Sequence, residues 1–113
     1  MANIVMSEEA EKDLVQIGDY IARKSKSSKT ALSIIKKIKV RIDKLEEYPL
    51  IGTPLSSLVA IETEYRILGC GSYLVFYRHI NDDVLVDRIF HGRQDYITIL
   101  FGDMPEGYDD DLN

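Results

Sequence analysis

The stretch that decides the fold of this chain runs from Tyr65 to Asp95 and reads YRILGCGSYLVFYRHINDDVLVDRIFHGRQD. It contains three runs of apolar, β-branched and aromatic residues, and each run ends in turn-forming residues: segment 69–72, segment 81–83 and Gly92. Short loops between runs of high β-propensity are typical of hairpins. The stretch therefore predicts an antiparallel meander of three strands. Its last strand leads into a concentrated polar cluster, His91-Gly92-Arg93-Gln94-Asp95.

A short strand and two amphipathic helices are predicted before the meander. The strand covers residues 3–6, and Ser7 then offers a helix N-cap. Apolar residues recur at spacings of three and four in two segments, from about residue 8 to 23 and from about 29 to 47. The second helix stops at Tyr48-Pro49, because the residue before a proline is pushed out of the helical region. The polar connector between the helices is short enough to join antiparallel neighbours, so we expect an αα-hairpin.

The rest of the chain is predicted in less detail. Residues 50–58 are rich in turn formers and are expected to form a loop, and the run from Val59 through Leu68 is expected to begin the meander. Residues 96–101 have strand propensity, but their place after the meander favours a short terminal helix. Residues 1–102 are thus predicted to form one domain, and residues 103–113 an acidic, disordered tail.

Composition excludes several classes of protein. At 113 residues and 45% hydrophobic content, the chain has the makeup of an ordinary globular domain. Its apolar runs are too short to span a membrane, and the first residues lack the pattern of a signal peptide. A single cysteine, Cys70, favours a reducing compartment. The expected location is therefore the cytoplasm, with no membrane contact. No cofactor is expected, and no metal site either, because His91 has no Cys, His or Asp partner at metal-ligand spacing.

Charge is distributed very unevenly. The formal net charge is -5, and the five acids of residues 103–113 account for all of it, so that residues 1–102 are neutral. Nine of the 14 lysines and arginines fall in residues 23–44, where Asp43 is the one acid. Such a segment either attracts an acidic partner, protein or nucleic acid, or simply solvates an exposed helix.

Several motifs along the chain point to one family. They are the Ser7-Glu8-Glu9-Ala10 helix start with Asp13-Leu14 and Asp19-Tyr20-Ile21-Ala22, the Tyr48-Pro49 break before Gly52, Tyr65-Arg66-Ile67, Tyr73-Leu74-Val75-Phe76-Tyr77-Arg78, and Arg88-Ile89-Phe90-His91-Gly92-Arg93-Gln94-Asp95. Over about residues 2–101 the chain resembles the RelE/ParE superfamily, toxins of bacterial type II toxin–antitoxin modules. The resemblance implies an α+β fold in which the αα-hairpin packs on a twisted antiparallel sheet, in the order β-α-α-β-β-β-short helix.

The resemblance also implies a partner, a cognate antitoxin whose C-terminal segment wraps the toxin in extended and helical form. Two apolar residues of the second helix, Leu32 and Val40, lie outside its main stripe. They are either scattered surface residues or part of a partner surface. With Lys36 and Lys39 they form the expected antitoxin-binding set, because lysines suit an acidic segment.

Two activities occur in this superfamily. The RelE-like branch cleaves mRNA on the ribosome without a metal, which requires cations and proton-transfer groups. When Tyr73 and Gly92-Arg93 are aligned on that branch's pattern, Leu74 and Gln94 stand where its cations lie. A different nuclease site would have to come from the remaining candidates, which are Arg66, Arg78, His91, Arg93 and Tyr96.

The ParE-like branch poisons DNA gyrase and performs no covalent chemistry itself. The Tyr-Arg-Ile, Phe-Tyr-Arg and His-Gly-Arg-x-Asp motifs resemble this branch more closely. The resemblance therefore implies a growth-inhibiting gyrase poison. The alternatives are a metal-independent endonuclease acting on the ribosome and its mRNA, or an inactive binding module on the same fold.

Overall fold

The computed structural model describes residues 1–92 and 94–102. The strands are β1 (Asn3–Met6), β2 (Thr53–Pro54), β3 (Arg66–Cys70), β4 (Tyr73–Ile80) and β5 (Asp83–His91). The helices are α1 (Glu8–Ser25), α2 (Ser28–Asp43) and α3 (Tyr96–Phe101), with 3-10 turns at Lys44–Glu46 and Leu55–Ser57. Arg93 and the predicted tail, residues 103–113, lie outside the described residues. The predicted α+β class and the order of its main elements are confirmed.

The five strands form one sheet in the order β1-β5-β4-β3-β2. The predicted antiparallel meander is present as β3, β4 and β5. β1 lies parallel to β5, with Ile4 opposite Val84, so the sheet is antiparallel only in its larger part. Parallel neighbours need a long connection between them, and here the helix hairpin and three further strands supply it. β2 is a two-residue strand at the opposite edge of the sheet. It was not predicted, because residues 50–58 are rich in turn formers and were expected to form a loop.

Element boundaries differ from the predicted ones by a few residues. α1 continues to Ser25 and ends because Lys26 adopts a left-handed backbone conformation, with φ of 56°. α2 ends at Asp43, and the last turn before Tyr48-Pro49 tightens into a 3-10 turn. β3 begins at Arg66, later than the apolar run from Val59 suggests. The terminal segment is helical, as predicted, and Asp95 caps it.

The sheet carries a hydrophobic core on each face. The core between the sheet and the helices α1 and α2 is called the helix-side core. The second core lies on the opposite face, under α3 and the 3-10 turn at Leu55. The helix-side core contains Ala10, Leu14, Ile38, Ile42, Leu45, Leu68, Val75, Tyr77, Val84, Val86 and Ile89. The second core contains Leu55, Ile67, Phe76 and Phe90. Because the two cores use opposite faces, the meander strands are apolar on both sides rather than alternating with polar residues.

A bulge interrupts the pairing of β4 with β5. Phe76 lies opposite Arg88 and the next residue, Tyr77, lies opposite Val86, so Asp87 is the extra residue. The Asp87 carboxylate accepts hydrogen bonds from Arg78, at 2.7 Å from Nε and 3.4 Å from Nη2. A bulge bends its strand locally, and the site described below is built on the residues that follow this one. Among the helices in the described part of the chain, none has the length and apolarity to cross a membrane.

Candidate functional site

A buried ion pair joins α1 to the end of β5. The carboxylate of Asp13, only 7% exposed, accepts hydrogen bonds from Arg88 Nε at 2.9 Å and Nη2 at 3.0 Å. A third hydrogen bond, of 2.8 Å, comes from the backbone N–H of Ile89. Hydrogen bonds to the Asp13 carboxylate raise the pKa of the Arg88 guanidinium further above its usual value. The Arg88 guanidinium therefore stays charged at any physiological pH, and its hydrogen bonds to Asp13 hold α1 against β5.

This contact exists because β1 is shorter than β5. β1 pairs with residues 83–86, which leaves the outer edge of β5 from Asp87 onward without a neighbouring strand. α1 satisfies that edge: the Ser7 hydroxyl donates to the Asp87 carbonyl at 2.7 Å, and Asp13 accepts from Ile89. The start of α1 is thus fixed on β5, and the rest of the helix forms one wall of a cleft.

We call this cleft, between α1 and the end of β5, the aromatic cleft. It has a volume of about 430 Å³ and is lined by Asp13, Gln16, Ile17, Tyr20, Tyr73, Arg88, Ile89, His91 and Gln94. The rings of Tyr73 and His91 meet edge to face, with centroids 5.4 Å apart. Burial, and secondarily the nearby Tyr20 hydroxyl, raises the pKa of Tyr73, so its phenol remains protonated at neutral pH. Volumes of roughly 300–1,000 Å³ are typical of small-ligand sites.

The polar cluster after β5 forms a turn at the rim of this cleft. The backbone N–H of His91 donates to Gln94 Oε1 at 2.7 Å, and that of Gly92 donates to the Ser72 carbonyl at 2.8 Å. Asp95 accepts from the Thr98 backbone N–H and hydroxyl, at 3.3 and 2.8 Å, which begins α3. His91 therefore lies at the cleft while Asp95 has a capping role, and Arg93 lies outside the described residues.

The other predicted nuclease candidates lie elsewhere. Arg66 donates to the backbone carbonyls of residues 50 and 52, at 3.3 and 2.8 Å. Arg78 binds Asp87 and lies over the ring of Tyr65, 5.7 Å from its centroid. Tyr96 packs against a phenylalanine ring of the second core at 4.9 Å, on the opposite face from the Tyr73 and His91 pair.

Strand pairing shows how far apart these groups are. His91 lies opposite Tyr73 at the start of β4, whereas Arg78 is five positions further along the same strand. At about 3.3 Å per residue, the two positions are roughly 16 Å apart. Among the described residues, the candidate cations and His91 do not meet at one reaction centre.

A second concave surface, which we call the helix groove, lies between α1, α2 and β1. Its volume is about 760 Å³, and its lining is Ile4, Met6, Glu11, Leu14, Val15, Gly18, Asp19, Ile35, Lys39, Ile42, Asp43 and Glu46. Gly18 contributes no side chain to this lining, and a Cβ there would make an ordinary contact with Ile35 at 3.6 Å. The groove has an apolar floor, and its rim carries four acids and one lysine.

Of the predicted antitoxin-binding residues, only Lys39 lines the helix groove. Leu32 and Val40 are 69% and 51% exposed on the adjoining outer surface of α2, where Lys36 also lies. Sequence reasoning missed Val15, an exposed apolar residue of the groove wall, although its position outside the α1 stripe was a usable signal. It also missed the pairing of Asp13 with Arg88, which are 75 positions apart and gave no local signal.

Comparisons with known proteins agree with this geometry. The family model described as ParE toxin of type II toxin-antitoxin system, parDE, matches residues 4–96. A solved structure titled "Chromosomal ParDE TA system from P. aeruginosa" superposes with a TM-score of 0.67 at 18% sequence identity. The match covers 80% of this chain and 96% of that one, and at this identity it shows the shared fold. Among curated protein sequences, none matches this chain. Because the family model spans most of the chain, including both helices and the whole meander, the chain belongs to the ParE family of type II toxins.

Proposed function

We propose that this toxin poisons DNA gyrase, as the ParE-like branch does, and does not cleave RNA. The observation that carries the proposal is the placement of the arginines. Arg66 and Arg78 are held in intramolecular hydrogen bonds and lie far from His91. Arg88 lines the cleft with His91, but Asp13 balances its charge. Leu74, which stands where the RelE-like pattern has a cation, packs against the second core. A metal-free nuclease needs positive charge beside the reacting phosphate, and this arrangement favours a toxin that acts by binding.

The test is a supercoiling assay with purified gyrase and the full-length toxin. We expect loss of supercoiling and accumulation of gyrase-linked, cleaved DNA as toxin concentration rises. In parallel, translating ribosomes with a reporter mRNA are mapped by primer extension. Cuts at codon boundaries together with normal supercoiling would contradict the proposal and favour the endonuclease.

The polar cluster at the end of β5 is the proposed contact with the target. We expect His91→Ala and Arg93→Ala to weaken gyrase inhibition and growth arrest without changing the circular dichroism spectrum. His79→Ala is the matched control, because His79 lies at the other end of the β4–β5 hairpin, opposite Val84. Full toxicity in both variants would show that the polar cluster does not contact the target.

We further propose that a cognate antitoxin neutralises the toxin by filling the helix groove and covering the outer surface of α2. β1 is the last strand of the sheet at this side, so an extended segment can add to its edge. Apolar antitoxin side chains would enter the groove between Val15 and Ile35, and acidic ones would meet Lys36 and Lys39. Since both proposed partners are cytoplasmic, we propose that the toxin acts in the cytoplasm.

Calorimetric titration with the antitoxin tests this surface. We expect Val15→Asp and Leu32→Asp to weaken binding at least tenfold, the usual effect of placing a charge in a desolvated interface core. Leu58→Asp is the control, since Leu58 is similarly exposed and belongs to neither the groove nor α2. Unchanged affinity in both test variants would place the antitoxin elsewhere.

A further inference from the structure

We infer that the aromatic cleft binds one unpaired nucleobase of a single-stranded nucleic acid. The inference concerns a binding site that the toxin carries by itself and does not depend on the gyrase proposal. It rests on the charge balance of the cleft, its ring-lined walls and the amide groups at its rim.

Charge balance argues against phosphate as the ligand of the cleft. Arg88 is its one arginine among the described residues, and two hydrogen bonds of 2.9 and 3.0 Å pair it with Asp13. The pair has no net charge, and Asp13 also accepts from the Ile89 backbone. Because Asp13 already balances the Arg88 charge, a phosphate placed here would meet no free positive charge from the pair. A neutral ligand does not need one.

The walls of the cleft suit a flat aromatic ring. Tyr20 stands on α1 with 55% of its surface exposed, and Tyr73 lies on the sheet side, held edge to face by His91. Ile17 and Ile89 supply apolar surface between these walls. Proteins that bind single strands place splayed bases on tyrosine rings in this way.

The polar groups distinguish a nucleobase from an apolar aromatic side chain. Gln16 and Gln94 line the same cleft, and Gln94 already uses its Oε1 to accept from the His91 backbone N–H. Its amide NH2 group is therefore the donor left for a ligand. A nucleobase edge carries matching acceptors and donors, whereas a phenylalanine side chain would desolvate both amides without replacing their hydrogen bonds.

The strand that carries the base needs a cation close to the cleft. Lys24 lies one helical turn after Tyr20 on the same side of α1, and it makes no ion pair within the described residues. It can contact the phosphate next to the bound base. A paired base is stacked inside its duplex and cannot enter the cleft, so the site selects single strands.

The test measures binding of short labelled oligonucleotides to the full-length toxin by fluorescence anisotropy, without gyrase or ribosomes. Single-stranded DNA and RNA of one sequence are compared with the corresponding DNA duplex. We expect a single strand to bind and the duplex to bind much more weakly. Salt should have a small effect, because about one phosphate is contacted. A preference for DNA or for RNA would identify the source of the base, and either outcome supports the site.

Tyr20→Ala should weaken single-strand binding roughly tenfold, the usual loss on removal of one stacking ring. Tyr48→Ala is the matched control, because Tyr48 is 56% exposed and lies outside the cleft. Equal binding of the duplex, equal affinity in Tyr20→Ala, or binding of N-acetyl-tryptophanamide but of no oligonucleotide would overturn the inference. Because gyrase is absent, these results are independent of the supercoiling assay, and either proposal can fail alone.

Discussion

Asp13 is the residue on which the arrangement of the toxin depends most. Of the described residues, it is the one charged side chain as buried as the core, and it accepts three hydrogen bonds from β5. A buried carboxylate is tolerated only when its partners replace water, which Arg88 and the Ile89 backbone do. Removal of the carboxylate leaves both of those partners unsatisfied.

We predict that Asp13→Ala lowers the free energy of unfolding by about 3 kcal/mol, the lower end of the usual cost of breaking one side of a buried pair, because Arg88 is partly exposed. Urea unfolding followed by circular dichroism measures it. Asp19→Ala, an exposed acid on the same helix, should change stability by no more than about 0.5 kcal/mol. Replacing both Asp13 and Arg88 by apolar residues should cost less than Asp13→Ala alone. Equal losses of unfolding free energy in Asp13→Ala and Asp19→Ala would show that the pairing of Asp13 with Arg88 contributes nothing to stability.

Gly52 makes the closest contact of any glycine in the described part of the chain. A Cβ at this position would lie 2.7 Å from the Tyr77 hydroxyl and 2.9 Å from the carbonyl oxygen of Ile67. The same hydroxyl accepts from the Gly52 backbone N–H at 2.9 Å, and burial raises the pKa of Tyr77. The loop after α2 is therefore held against the sheet by a buried hydrogen bond that only glycine permits.

The consequence is that Gly52→Ala should destabilise the protein by about 1–3 kcal/mol through overpacking. Gly69→Ala supplies the comparison, because a Cβ there meets nothing within 4 Å and its backbone is not left-handed. That variant should be neutral or slightly stabilising. Thermal melts of both proteins are sufficient, and a similar melting temperature for the two would refute the packing argument.

At the scale of elements, α1 serves two sites with its two sides. Glu11, Val15 and Gly18 face the helix groove, while Asp13, Ile17 and Tyr20 face the aromatic cleft. The core stripe of the helix runs between these sides, so both surfaces depend on the same packing. Its first turn is fixed by Ser7, whose hydroxyl accepts from the Ala10 N–H at 2.9 Å and donates to Asp87.

Ser7→Ala should therefore lower the free energy of unfolding by more than the loss of an ordinary N-cap does. We expect a loss of about 2 kcal/mol, since the variant removes an N-cap and leaves the Asp87 carbonyl without its partner. Ser27 caps α2 with an exposed hydrogen bond to the Thr30 N–H, and Ser27→Ala should cost about 1 kcal/mol or less. Chemical denaturation of both variants gives the difference. If Ser27→Ala proved the more costly, the link from α1 to β5 would be unimportant.

For the whole molecule, the decisive property is a sheet with a core on each face. α3 covers the second core: Ile97 is buried, Tyr96 contacts Phe76, and Phe101 meets the Tyr65 ring at 6.0 Å. The 3-10 turn at Leu55 covers the remainder. A short helix of six residues thus protects aromatic residues that would otherwise be exposed.

Two truncations separate this helix from the acidic end of the chain. Deletion of residues 103–113 should leave the melting temperature and antitoxin binding unchanged, because that segment is acidic and has few large apolar residues. Deletion of residues 96–113 removes α3 and should lower the melting temperature by about 10 °C or more. Calorimetry distinguishes the two. A large loss in the shorter deletion would show that the acidic segment packs against the domain.

Much of the fold was predictable because its signals are local. The αα-hairpin follows from two apolar stripes and a polar connector, and the meander follows from turn residues between β-prone runs. The terminal helix was favoured by its place in the chain and is present. β2 was missed because two residues give no periodicity, and the parallel pairing of β1 because nothing near residues 3–6 specifies a partner strand.

The sequence by itself determined the helices, the meander and the membership of a toxin family, because propensity, periodicity and motif spacing are properties of neighbouring residues. Tertiary structure alone decided which distant side chains meet. It paired Asp13 with Arg88 in the lining of the aromatic cleft, and it placed the Asp87 bulge beside Arg78. The physical reason is that a buried charge is stable only beside its partner, and chain topology, not local sequence, brings that partner within hydrogen-bonding distance.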